Sequence, residues 1–342
     1  MTSSPRKTAL IIGATGSFGG HAAIALIKRG WRIRALARDP EAAARKSGAR
    51  TPIEWVKGDA MSAADVLAAS DGADVIVHGA NPPGYKNWRG LAVPMLANTI
   101  AAAVARRARI VLPGNVYNFA PDAGPAIGED APQAPATRKG KIRVEMEATL
   151  RAAASQGARV LVLRAGDFFG PAAPNSGLGW LISRRGGRVG SLYAPGAGSV
   201  GHDYAYLPDL AETLARLLER EAELADFDVF HFRGHWLERN EELGAAIRRV
   251  TGQPKLPIRQ FPWIMVYALS PFVEMFRELA EMRYLWKAPI GLDNAKLVAF
   301  LGEEPHTPLD AALRATLADM GCLEEAAYAP ASRASSAMAP TM

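Results

Sequence analysis

The chain is predicted to fold as an α/β protein built on a doubly wound parallel sheet. Short apolar, β-rich runs alternate with helical runs from Thr8 to Arg164. The first strand and helix are joined by a glycine turn, Gly13-Ala14-Thr15-Gly16-Ser17-Phe18-Gly19-Gly20. The 342 residues are 49% apolar and 22% charged, which allows a substantial core and argues against global disorder. Strands alternating with helices imply a parallel sheet covered on both faces, with the ligand at the strands' carboxyl ends.

The strands are expected at Thr8–Ile12, Arg32–Ala37, Ile53–Val56, Asp74–His78, Arg109–Leu112 and Arg159–Arg164. Helices are expected between most of them, at 21–29, 62–70, 88–106 and 138–156. After Arg164 the rhythm changes. Residues 165–206 are rich in Gly, Pro and aromatics and read as a long segment closing over a site. Helical patterns return at 208–222 and 239–251, with a β-like run at Phe227–Phe232 between them. One helix is expected over much of 262–285 and a last one over about 307–320. Residues 1–6 and 325–342 read as disordered tails.

Composition bounds the partners. The single cysteine, Cys322, excludes an intrachain disulfide framework and a cysteine-rich zinc site, and no metal site is expected. Net charge is +6, and the basic clusters at Arg106-Arg107-Arg109, Arg138-Lys139-Lys141-Arg143 and Arg184-Arg185-Arg188 lack an interleaved aromatic platform. No nucleic-acid partner is therefore expected. The longest apolar stretch, Phe261 to Phe276, holds Pro262, Pro271 and Glu274. It is too interrupted to span a bilayer, so no membrane partner and a cytoplasmic location are expected.

The glycine turn is a candidate phosphate cradle. Glycines let the backbone approach a pyrophosphate, and the following helix N-terminus offers unpaired N–H groups. Its spacing, Gly13-x-x-Gly16-x-x-Gly19, resembles that of the extended and atypical short-chain dehydrogenase/reductase superfamily, which includes the epimerase/dehydratase-like proteins. Further landmarks follow in the same order. They are Gly58-Asp59, Gly79-Ala80-Asn81, Asn98, Arg164 to Pro171, and His202 to Ala211. The resemblance implies a Rossmann core over 7–165, with sheet additions from about 200–235, and a mainly substrate-binding region over 166–322. It also implies that Gly13, Thr15, Gly16, Ser17, Phe18 and Gly19 bind the cofactor phosphates. Asp59 and Ala60 would lie at the adenine, and Gly79, Ala80, Asn81, Asn98 and Phe168 would line the rest of the cofactor. At the end of the second strand Arg38 precedes Asp39. An Arg there favours a 2′-phosphate, so NADP is expected over NAD.

The superfamily's chemistry uses a Tyr and a Lys four residues later on one helix face, and this chain departs from it. Reading the helix phase from Ile142, Met146 and Leu150 puts Lys141 in the Lys position, also toward the cofactor, and Thr137 in the Tyr position. Pro113 stands where a second hydroxyl is usual, with Asn115 and Tyr117 nearby. The catalytic candidates are thus Lys141, Tyr117 and Thr137, with Tyr85, His202 and Tyr204 as further acids. Asn115, Tyr193 and His202 are the substrate candidates. The leading expectation is an oxidoreductase or epimerase/dehydratase-like enzyme acting on a small carbonyl, hydroxyl or nucleotide-sugar-type substrate. A non-catalytic NADP-binding redox sensor and a structural protein keeping the cofactor as scaffold are the alternatives. The helices at 88–106 and 138–156 are candidates for pairing in a homodimer.

Overall fold

The computed structural model describes residues 6–47, 52–82, 87–173, 176–185 and 187–323. Tyr85 and the tail from 325 lie outside them. The first half runs β1 (Thr8–Ile12), α1 (Ser17–Lys28), β2 (Arg32–Ala37), α2 (Pro40–Ser47), β3 (Ile53–Lys57), α3 (Ala63–Ala69), β4 (Val75–His78), α4 (Trp88–Arg106) and β5 (Arg109–Asn115). There follow β6 (Gly124–Ile127), α5 (Arg138–Ala154), β7 (Arg159–Ala165), β8 (Asp167–Phe169), α6 (Gly177–Leu181), β9 (Ile182–Arg185), β10 (Arg188–Ala194), β11 (His202–Tyr206) and α7 (Leu207–Glu219). The chain continues through β12 (Phe227–Phe232), β13 (His235–Leu237), α8 (Glu241–Thr251), β14 (Ile258–Gln260), α9 (Trp263–Leu269), α10 (Glu274–Met282), β15 (Ile290–Leu292), α11 (Ala295–Leu301) and α12 (Leu309–Asp319).

The main sheet has seven strands in the order β12-β7-β5-β4-β1-β2-β3, and every pairing is parallel. The order reverses between β1 and β4, which opens a crevice at their carboxyl ends. Both faces are covered, which explains why β1 (TALII) is buried along its whole length instead of alternating. One apolar layer joins α1 and α7 to the sheet through Ala22, Leu26, Leu210, Leu214 and Phe230. The opposite layer holds α4 and α5 through Leu96, Ala102, Ile142, Met146 and Leu150.

The expected strands of the first half all form, each within a few residues of the expected ends. The segment 165–206 differs, because it contains β8 to β11 and α6. Strands β13, β11, β15 and β6 make a second sheet, β8 pairs with β11, and β14, β10 and β9 make a third. These strands are mostly three to five residues long, too short to show a period in sequence. The single helix expected over 262–285 is instead α9 and α10, divided around Pro271, whose ring cannot continue the hydrogen-bond ladder.

Candidate active site

The β1–α1 turn is backbone packed on backbone. Gly13 has φ +90°, and a Cβ there would lie 2.7 Å from the Gly79 carbonyl carbon and oxygen. A Cβ on Gly19 would overlap the Gly13 carbonyl. The turn therefore seats against the end of β4, where the Gly79 N–H donates to the Ile12 carbonyl at 2.8 Å. Gly16 caps α1 with no side-chain hydrogen bond, so the first N–H groups of a twelve-residue helix point into the crevice without a side-chain acceptor. Thr15 is exposed and Ser17 half-buried at this mouth. This bare cradle fits a dinucleotide pyrophosphate. Phe18 differs from the other turn residues. Its ring is buried and stacks on Phe168 at 6.5 Å, so only its backbone remains for a ligand.

The remaining cofactor candidates divide by what their side chains already do. Arg38 is exposed at the end of β2 and makes no hydrogen bond or ion pair among the described residues. Asp39 accepts the Ala42 N–H at 2.9 Å at the start of α2. Asp59 accepts the Met61 N–H at 2.9 Å, and its own N–H donates to Asp65 at 2.8 Å, so the β3–α3 loop is tightly tied. Asn98 donates to the Ala60 carbonyl at 2.9 Å, which makes it a positioning residue for that loop. Asn81 accepts the Trp88 indole N–H at 2.7 Å beside the half-buried Gly79 and Ala80.

At the other end of the crevice, α5 turns a different face inward from the one its lysine spacing suggests. Lys139, Ile142, Met146, Glu147 and Leu150 are buried, whereas Lys141 is exposed. Lys141 lies about 200° around the helix from Lys139 and Arg143, on the exposed side of α5. Arg143 stacks over Trp88 at 5.1 Å and donates to the Pro113 carbonyl at 3.3 Å; burial lowers the His78 pKa to about 3, and the nearby Arg143 charge adds to that lowering. It therefore occupies the carboxyl ends of β4 and β5. Thr137 is also reassigned. Its hydroxyl accepts the Gly140 N–H at 3.0 Å as the N-cap of α5, and the side chain is buried in that role.

Lys139 is the buried cation of this end. Its Nζ donates to the Glu278 carbonyl oxygen at 3.1 Å and lies 3.5 Å from the Glu278 carboxylate. Burial lowers its pKa to about 8, against the raising effect of Glu278. Gly140 follows it because a Cβ there would overlap the Tyr117 carbonyl. Tyr117 itself is half-buried among Val116, Phe119, Tyr284 and Trp286, and its N–H is held by the Asn115 side chain at 3.0 Å.

Behind these groups Glu147 and Arg164 form a buried bidentate pair, at 3.1 Å and 2.6 Å. Arg164 also meets His231 Nε2 at 2.9 Å, while His231 Nδ1 donates to the Ile127 carbonyl at 2.9 Å. Burial, then the Arg164 charge, lowers the His231 pKa to about 3, so this imidazole is neutral. Gly114 makes room for the arrangement, since a Cβ there would lie 2.6 Å from Arg164 Cγ.

The second sheet adds a His–Asp contact. His202 Nε2 lies 2.9 Å from Asp167, and its ring stacks on Trp286 at 5.7 Å. Burial lowers the His202 pKa, but the Asp167 carboxylate outweighs it and the net shift is upward. Tyr204 donates to Asn240 at 2.6 Å, and burial raises its pKa beyond use as an acid. Tyr193 and Asn240 line a cavity of about 280 Å³ together with Leu181, Leu192, Leu243 and Glu241. Among the described residues no Lys or Arg lines it. The residues that sequence reasoning missed are Lys139, Arg143, Glu147, Asp167 and Glu278. A legible signal was Glu147, a charge flanking the Ile142-Met146-Leu150 stripe, with Arg143 and Lys139 at successive steps of four before it.

Comparison with known proteins agrees with this architecture. The Bordetella bronchiseptica enzyme WbmH, solved with NAD+, has a TM-score of 0.70 at 19% identity over 92% of this chain and 98% of that one. UDP-glucuronic acid 4-epimerase from Bacillus cereus, solved with UDP-glucuronic acid and NAD, has a TM-score of 0.74 at 15% identity over 92% and 98%. An NmrA-like family domain-containing oxidoreductase of Aspergillus versicolor is 36% identical over 74 residues, a match spanning 21% of each chain. The sequence profile of the NAD dependent epimerase/dehydratase family matches residues 9–231. With the glycine cradle at the sheet's switch point, this shows that the chain belongs to the NAD dependent epimerase/dehydratase family.

Proposed function

We propose that the chain is an NADP(H)-binding oxidoreductase of this family that acts on a small uncharged carbonyl or hydroxyl compound. The observation that carries the reading is the pair Lys139 and Arg143, four residues apart on the inward side of α5. That is the spacing the resemblance assigns to Tyr and Lys. A bound nicotinamide would supply hydride exchange with the substrate carbon. Lys139 is the acid at the oxygen. An ammonium held near pKa 8 keeps its proton at neutral pH and releases it more readily than a solvated lysine. Glu278 orients that ammonium, and Arg143 supplies a fixed cation at the carboxyl ends of β4 and β5. Arg38 favours NADP because an exposed guanidinium without a carboxylate partner suits a 2′-phosphate, whereas Asp39 already serves as a helix cap. The substrate class follows from charge. A nucleotide-sugar diphosphate would meet Glu241 and, among the described residues, find no Lys or Arg in the wall of the cavity beside Tyr193.

Titration of intrinsic fluorescence with NADPH and NADH tests the cofactor. NADPH is expected to bind about tenfold more tightly, with Arg38→Gln removing the difference, and equal affinity in the wild type would sink the NADP assignment. A carbonyl screen followed by NADPH oxidation tests the chemistry. Lys139→Met should lower kcat about 10²-fold or more with little change in cofactor affinity. Wild-type carbonyl reduction should fall as pH rises through about 8, where Lys139 loses its proton. Cofactor binding without turnover of any carbonyl would instead favour the non-catalytic redox-sensor reading.

A further inference from the structure

Residues 261–273 carry no charge from Phe261 to Val273, yet much of the segment faces outward. Trp263 and Val266 turn inward, and the Trp263 indole N–H donates to the Pro195 carbonyl at 2.6 Å. On the other side Ile264 is 87% exposed and Phe272 83% exposed, and Met265, Tyr267, Leu269 and Val273 are exposed beside them. Single exposed apolar residues are ordinary, but a contiguous group with polar surroundings marks an interaction surface.

The surroundings identify the partner's chemistry. Arg259 precedes the segment, and Arg277, Arg283 and Lys287 follow it. Among the described residues none of the four forms an ion pair, and Arg283 lies over the rings of Trp263 at 5.2 Å and Tyr267 at 5.5 Å. The carboxylates of Glu278 and Glu281 are turned to Arg138 and Lys139 instead. The rim thus carries Arg259, Arg277, Arg283 and Lys287 against Glu274, the one nearby carboxylate without an ion pair among the described residues, around two protruding apolar side chains. An anionic lipid surface satisfies both features at once, because apolar side chains enter the acyl boundary while Lys and Arg meet the headgroups. A second copy of the same face would set these cations against one another. The seven residues of α9 suit lying on a bilayer, since they are far too few to cross one.

We propose that the α9–α10 hairpin docks this protein on a membrane surface bearing anionic lipid, with Ile264 and Phe272 inserted and Tyr267 at headgroup level. The docked surface adjoins the cavity. The Phe261 N–H donates to the Ala194 carbonyl at 2.9 Å, and Ala194 and Pro195 belong to the cavity wall. Docking does not rest on the proposed reaction, so either can fail alone.

Co-sedimentation of the full chain with vesicles tests it, comparing pure phosphatidylcholine with phosphatidylcholine containing about 30 mol% phosphatidylglycerol. The expected result is about tenfold more bound protein on the anionic vesicles, lost in the Ile264→Asp/Phe272→Asp double variant and weakened in Arg259→Gln/Lys287→Gln. Circular dichroism should show the double variant folded, because both side chains it alters are exposed. Absence of wild-type binding to the anionic vesicles, or binding retained by the folded double variant, would overturn the proposal. So would a concentration-dependent dimer that the double variant abolishes while the wild type ignores vesicles, which would assign the patch to a second copy.

Discussion

At the β1–α1 turn the working atoms are backbone. Gly13, Gly19 and Gly79 meet where no Cβ fits, and α1 opens without a side-chain cap. At the β5–α5 end the working atoms are side chains, and each is already engaged. Lys139 is held by Glu278, Arg143 by Trp88 and the Pro113 carbonyl, Arg164 by Glu147, and His202 by Asp167. The first end offers open N–H groups, which most chemistry-bearing side chains would only obstruct. The second must keep buried charges compensated before any substrate arrives, because an unpaired charge there costs several kcal/mol. The glycine end thus tolerates little added volume, and the β5–α5 end tolerates little lost charge.

Breaking the second half of that comparison should have the largest effect. Glu147→Ala leaves Arg164 buried and unpaired, and denaturant unfolding should show a loss of about 3–5 kcal/mol. An exposed pair such as Arg249–Asp310 is expected to contribute about 1 kcal/mol or less when truncated the same way. Gly19→Ala breaks the first half. Its Cβ would overlap the Gly13 carbonyl, so the turn must shift; about tenfold or more should be lost in cofactor affinity, with a stability cost of about 1–3 kcal/mol. Calorimetric titration beside a melting curve separates the two effects. Lys141→Met sharpens the comparison through its small effect. On the exposed side of α5 it should change stability by no more than about 0.5 kcal/mol and leave cofactor affinity unchanged. A large loss of affinity would return Lys141 to the site.

The difference between the two ends also explains what was legible in the sequence. The cradle is local: strand, glycine turn and helix lie within residues 8–28, and glycine is readable because it marks a missing atom. The long helices 88–106 and 138–154 and the strand Phe227–Phe232 were legible from their composition and period. At α5 the apolar residues Ile142, Met146 and Leu150 set the phase of the stripe, but Lys141 stands about 100° to one side of it and Arg143 about 100° to the other, so the period alone does not say which flank is covered. Two buried charges on the inward side, Lys139 and Glu147, looked like surface residues because their partners are remote. Glu278 is 139 residues from Lys139, and Arg164 is 17 from Glu147.

By itself the sequence determined the parallel α/β class, strands β1 to β5 and β7, and the strand–glycine turn–helix at the start of the chain, since each depends on backbone preference and apolar period over a few neighbouring residues. Only the tertiary structure decided which cations of α5 face the crevice, that Thr137 is a helix cap, that 262–285 divides into two helices, and that Ile264 and Phe272 stand exposed beside the cavity wall. Those outcomes depend on what packs against a side chain. Burial of a charge or exposure of an apolar group is settled by partners far away in the chain, which no local pattern records.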